Sequence, residues 1–141
     1  MRSAEAYIAI TLAAIGLYIA GYFTLVYYGL IGANTKLMPK VCRLEERTCQ
    51  TVLGTRYARV FGVPNSLLGI LYYLTVIGIL SGNCRAAPVR ALLIPVAWFT
   101  VALGIVHAYS LFFIIKIPCP LCLAGHTINL ALAILLTMIL R

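Results

Sequence analysis

The sequence predicts an all-α, integral membrane four-helix bundle whose long first loop carries a short amphipathic helix. Three observations lead there. The 141 residues are 63% hydrophobic and 10% charged, whereas soluble domains are about 45–50% apolar and about 25% charged. A soluble domain of this size cannot hide so much apolar surface, and disordered chains are poor in aliphatics and rich in charge. The apolar residues also fall into four stretches that approach the roughly 20 residues a bilayer crossing needs. Four crossings consume roughly 80 residues, leaving connections and termini, so residues 1–141 are expected to form a single membrane-embedded domain.

The first stretch, Ala6 to Ile31, carries no charge. At around 26 residues it exceeds the about 7–15 residues of a signal-peptide core, and a retained helix is expected. The second crossing reads from Asn65 to Leu80 and is the shortest, the third from Val89 to Ile115, and the fourth from Leu121 to Leu140. Gly16, Ala20 and Gly21 suit close helix contact. Tyr7, Tyr27, Tyr28, Tyr72, Tyr73 and Trp98 are equally suited to interface anchoring or to buried packing. In the first connection, Gly32 to Pro64, the segment Thr51 to Val63 has apolar residues at 53, 57, 60 and 61 beside Arg56 and Arg59. That spacing predicts the amphipathic helix, lying on the bundle mouth.

The net charge of +8 points to lipid headgroups rather than to nucleic acid, because no basic run with interleaved aromatics occurs. Four crossings put the first and third connections on one face, and both termini with the middle connection on the other. Cys42, Cys49, Cys119 and Cys122 therefore share a face, and Cys84 is alone opposite.

Cys119-Pro120-Leu121-Cys122 stands where the fourth helix begins, with Pro120 suited to the first helical turn. Thiolates there face the unpaired N–H groups and positive end of the helix, which favours nucleophilic attack. Metal binding and plain packing compete with this redox reading. A c-type haem site is excluded locally, because Leu123 rather than His follows Cys122. Cys42 and Cys49 can close a small loop disulfide, as a structural staple or as an exchanging pair. An all-cysteine zinc site is less suited, since zinc pairs carry matching short spacings, and no metal is expected. In the relay reading a partner protein exchanges thiols with the loop pair, the loop pair with the helix-start pair, and the inner pair reduces a quinone dissolved in the membrane.

These residues resemble the vitamin K epoxide reductase family. The matching pieces come in order: Cys42 and Cys49, then Thr55-Arg56-Tyr57, then Asn65-Ser66-Leu67-Leu68-Gly69, then Cys119-Pro120-Leu121-Cys122. The resemblance spans nearly the whole chain and is of the prokaryotic type without a fused thioredoxin domain. It differs from the bacterial quinone-linked disulfide oxidases, which carry Cys-x-x-Cys in the first loop. It implies that Cys42 and Cys49 are a shuttle pair, that Cys49 attacks Cys119, and that Cys122 faces the quinone. It further implies that Thr55 supplies a hydroxyl near the active site and that Asn65 hydrogen-bonds a quinone oxygen. On their own residue chemistry Thr55 reads as a turn hydroxyl and Asn65 as a helix cap.

His126 stands where vertebrate members have Tyr, four residues after the second cysteine. At that spacing it shares a helix face with Cys122 and can donate to a quinone carbonyl. The substitution argues against vitamin K epoxide itself as the substrate. His107, inside the third stretch with no motif beside it, reads as structural, and Cys84 as incidental.

Lys and Arg number seven on the cysteine-rich side (Lys36, Lys40, Arg43, Arg47, Arg56, Arg59, Lys116) and four on the other (Arg2, Arg85, Arg90, Arg141). The positive-inside rule would put the cysteines in the cytoplasm. Disulfide chemistry belongs to oxidising compartments, and the family places its cysteines outside, so the expected orientation has both termini cytoplasmic and the redox cysteines extracytoplasmic. The expected function is a membrane thiol:quinone oxidoreductase served by a separate thioredoxin-fold thiol donor and a menaquinone- or ubiquinone-like acceptor in the lipid bilayer. The alternative is a non-catalytic membrane scaffold or small transporter with a structural loop disulfide.

Overall fold

The computed structural model describes residues 2–31, 52–82, 86–117 and 119–141. Cys42, Cys49 and Cys84 lie outside them. Four helices dominate: α1 (Arg2–Tyr27), α2 (Asn65–Ser81), α3 (Ala87–Tyr109) and α4 (Pro120–Leu140). Three apolar segments are long enough to cross a bilayer, Ala4–Tyr27, Ala87–Ile114 and Pro120–Leu140, while Asn65–Ser81 is shorter. The 17 residues of α2 span about 25 Å at 1.5 Å per residue.

The first helix stops four residues before the apolar run ends. Gly29 has φ +69°, its N–H donates to the Val26 carbonyl at 3.0 Å, and the Leu30 N–H reaches back to the Leu25 carbonyl at 2.9 Å. This pair of bonds is a Schellman motif, which needs the left-handed conformation that glycine adopts without strain. At the end of α3 the opposite happens. The helix widens into a π-turn over Ser110–Ile114, closed by the Ile115 N–H on the Ser110 carbonyl at 2.8 Å, and so carries the third crossing to its expected end. At the other side of the bundle, Arg90 Nη1 donates to the Leu140 carbonyl at 3.3 Å, satisfying one of the acceptors left over where α4 ends.

α2 packs on α1, α1 on α4, and α4 on α3. Ala9 and Ala13 of α1 are fully buried in one core with Val76, Ala97, Leu132 and Leu136, since small side chains let backbones approach where lipid offers no hydrophobic drive. Gly16 is needed for a different neighbour: a Cβ there would overlap the Tyr73 ring. Tyr73 in turn donates from its hydroxyl to Asn129 Oδ1 at 2.7 Å, joining α2 to α4. Gly21, expected at a helix contact, has no neighbouring atom among the described residues within 4 Å of the place its Cβ would occupy, so no helix contact is seen there. Tyr72 and Tyr73 are buried, whereas Tyr7 and Tyr28 are exposed near the two ends of α1; Trp98, exposed at mid-span, donates from its indole to Thr137 Oγ1 at 3.1 Å.

The described part of the first connection is not one amphipathic helix. Residues 52–54 form a helical turn, Arg56–Ala58 a 3-10 turn, and β1 (Arg59–Val60) pairs antiparallel with β2 (Val63–Pro64). Phe61 and Gly62, at φ 51° and 81°, make the two-residue turn between the strands with both residues left-handed, the geometry that matches strand twist. Gly62 supplies that conformation at no steric cost and ends any helical continuation from Tyr57. The Arg59 guanidinium lies 5.6 Å from the centre of the Tyr27 ring, tying the hairpin to the end of α1.

Candidate active site

The site begins where α4 begins. Cys119 is the N-cap, with extended backbone (φ −105°, ψ 105°), and Pro120 is the first helical residue. The Cys119 sulfur accepts from the Cys122 N–H at 3.4 Å, so a sulfur does the work that a Ser or Asp oxygen does at most helix starts. Cys119 is completely buried among Tyr22, Phe23, Val26, Val52 and Leu111. One turn further along, Cys122 is only half-buried and reaches a cavity of about 520 Å³.

The cavity lies between α2 and α3, which do not pack closely on each other among the described residues. Its lining is mostly hydrocarbon from all four helices, with Asn65, Ser66, His107, Cys122 and His126 as polar side chains toward the cysteine end and Asn129 deeper, beside Tyr73. Asn65 is the first residue of α2 and Pro64 is its N-cap. The capping role expected for Asn65 on residue chemistry therefore does not apply, and its amide is available to the cavity.

His126 follows Cys122 by four residues and lines the same cavity. Both of its ring nitrogens are buried and have no hydrogen-bond partner. Buried polar atoms are nearly always paired, and this imidazole, like the Tyr72 hydroxyl, is an exception among the described residues. Gly104 on α3 makes room for it, because a Cβ at that position would stand 2.9 Å from His126 Nδ1.

His107, expected as a structural residue, is buried and lies beside His126. Its ring centre lies 5.2 Å from that of His126, edge to face at 66°, and its Nδ1 is 3.1 Å from the Tyr57 carbonyl. A second cavity of about 300 Å³ borders it, lined by Arg56, Tyr57, Arg59, Asn65 and Ser110 among others. No motif flags His107. The topology does, since α3 ends and α4 starts at one face, and the chain's two histidines lie at comparable depths from it.

Thr55 is placed differently from the other expected residues. Its hydroxyl donates to the Val52 carbonyl at 2.7 Å, and Thr55 lines neither cavity. Among the described residues no cluster of three or more His, Cys, Asp or Glu side chains suited to a metal ion occurs.

Comparison with curated proteins returns no match. Comparison with family models does: a Cys-x-x-Cys at the head of the last helix and a mostly apolar cavity beside it belong to a chain that the vitamin K epoxide reductase family model matches over residues 7–137. That span takes in all four helices, and the chain is accordingly a member of the vitamin K epoxide reductase family of membrane oxidoreductases.

Proposed function

We propose that the protein is a membrane thiol:quinone oxidoreductase supporting disulfide bond formation. It passes electrons from a separate thioredoxin-fold protein through Cys42 and Cys49 to Cys119 and Cys122, and on to a menaquinone- or ubiquinone-like quinone. The observation that carries this reading is the unpartnered His126 imidazole beside Cys122 in a mostly apolar cavity. A quinone offers a hydrocarbon body for such walls and carbonyl oxygens for His126 and Asn65, and the gap between α2 and α3 admits a ligand from the bilayer.

In this scheme the Cys49 thiolate attacks the Cys119 sulfur of an inner disulfide and releases Cys122 as the thiolate. Cys42 then attacks Cys49, closing the loop disulfide and freeing Cys119. Burial of Cys119 is no obstacle, because the attacking group comes from within the protein, from the connection that also carries Val52. Val52 packs in the cluster around Cys119 and follows Cys49 by three residues, a tether of at most about 10 Å. The inner dithiol next returns to its disulfide as its two electrons reduce the quinone, with Cys122 as the sulfur facing the acceptor. Thr55 belongs to the mouth segment, where its hydroxyl holds the turn that carries Arg56 and Tyr57. The reading keeps the redox cysteines extracytoplasmic, the termini cytoplasmic and residues 1–141 as one catalytic unit.

Purified protein mixed with a reduced thioredoxin-fold protein and a soluble quinone analogue should produce quinol. Cys122→Ser should stop it, and full quinone turnover in that variant would overturn the assignment.

A further inference from the structure

Resting on that reading, we propose that His107 is the proton entry to the quinone cavity, taking protons from the second, mouth-side cavity and delivering them through His126 to the reduced acceptor. The two cavities share Val60, Asn65, Leu103 and His107, and of these only His107 has a side chain that can accept a proton and pass it on. Its tautomer is fixed by geometry. A carbonyl can only accept, so the nitrogen facing the Tyr57 carbonyl at 3.1 Å carries hydrogen, and Nε2 is left with a lone pair.

Chemistry in the large cavity needs such a route. Among the described residues no carboxylate lines either cavity. Beyond Cys122, the titratable side chains of the large cavity are His107, His126, Tyr72 and Tyr73, and the Tyr73 hydroxyl is already engaged by Asn129. Among the described residues none holds His126 by a hydrogen bond, and the edge-to-face separation of 5.2 Å from His107 can be closed by one ring rotation or one bridging water. The mouth-side cavity reaches exposed Arg56 and Arg59, which puts it in contact with the headgroup region and water.

The balance is as follows. When the Cys119–Cys122 bond forms, two S–H bonds break, two electrons pass to the quinone and its two carbonyl oxygens each gain a proton. One proton comes from water: His107 Nε2 takes it up and hands it to His126, which gives a proton to the quinone oxygen. The second oxygen takes the proton of the neighbouring Cys122 thiol, and the Cys119 thiol proton leaves to the same aqueous side, so dithiol plus quinone gives disulfide plus quinol with nothing left over.

The test uses full-length protein, pre-reduced with a small dithiol and freed of it, mixed in a stopped-flow instrument with a short-tailed quinone analogue. His107→Ala should slow quinol formation at saturating quinone by about 100-fold, within the range of positioned proton donors, while affinity for the analogue changes less than about twofold. Added imidazole should restore a rate about tenfold above that of the unsupplemented variant, by occupying the vacated position. His107→Asn, which can still donate to the Tyr57 carbonyl but relays no proton, should stay slow. A wild-type rate in His107→Asn, or a defect confined to quinone affinity and insensitive to imidazole, would overturn the relay while leaving the oxidoreductase reading intact. Failure of pre-reduced wild-type protein to make any quinol would overturn both.

Discussion

The α1–α4 seam and the α2–α3 gap are opposite answers to the same shortage of driving force in lipid. At the seam, Ala9 and Ala13 are fully buried with Leu132, Ala133 and Leu136 in one dense core, and close approach of backbones supplies the attraction. Across the gap, Val96 and Phe99 of α3 and Leu71 and Thr75 of α2 are exposed and border a void rather than a partner. Stability and ligand space are thus assigned to different helix pairs. The site residues sit where the two regimes meet, on the face of α4 that turns from the seam toward the gap.

Substitutions can break that division in order of size. Gly16→Leu forces a side chain into the Tyr73 ring and should cost about 3 kcal/mol, the upper range for overpacking, read as a lowered midpoint of unfolding in detergent. Gly104→Ala pushes on His126 and should slow quinone reduction about 30-fold, equivalent to about 2 kcal/mol of barrier. Partner-to-loop thiol exchange should be unchanged, and an equal loss in both half-reactions would mean that the bundle, not the imidazole, had shifted. Val96→Phe fills the gap side of the cavity and should raise KM for the quinone analogue about tenfold, or about 1.4 kcal/mol. Its unfolding midpoint should stay close to wild type, as for a surface change. Gly62→Ala, at φ 81°, should cost about 1 kcal/mol, seen as faster proteolysis within the hairpin with the helices intact.

The bundle was legible because each crossing is longer than anything else the chain could do with so many apolar residues. The start of α2 at Asn65 coincides with the expected boundary, since Pro64 ends the extended segment. What escaped was set by single backbone positions. Gly29, inside an uninterrupted apolar run, stops α1 at Tyr27, and hydropathy has no term for a left-handed residue. Phe61 and Gly62 turn a stretch with helical spacing into a hairpin, because apolar residues at 57, 60 and 61 fit either form until the turn is seen. At the site, Cys119, Cys122 and His126 were visible as a sequence pattern along one helix. The pairing of His107 with His126, the room made by Gly104 and the Tyr73–Asn129 bond all join residues from different helices. No local pattern announces them.

Among the described residues α2 packs on α1 and not closely on α3, so in a bilayer acyl chains would face the open side of the cavity. The volume available beside Cys122 is then partly a property of the surrounding bilayer. Acyl-chain length and packing should tune how tightly the acceptor is held, so turnover measured in micelles and in vesicles of defined thickness should differ for the same unaltered polypeptide.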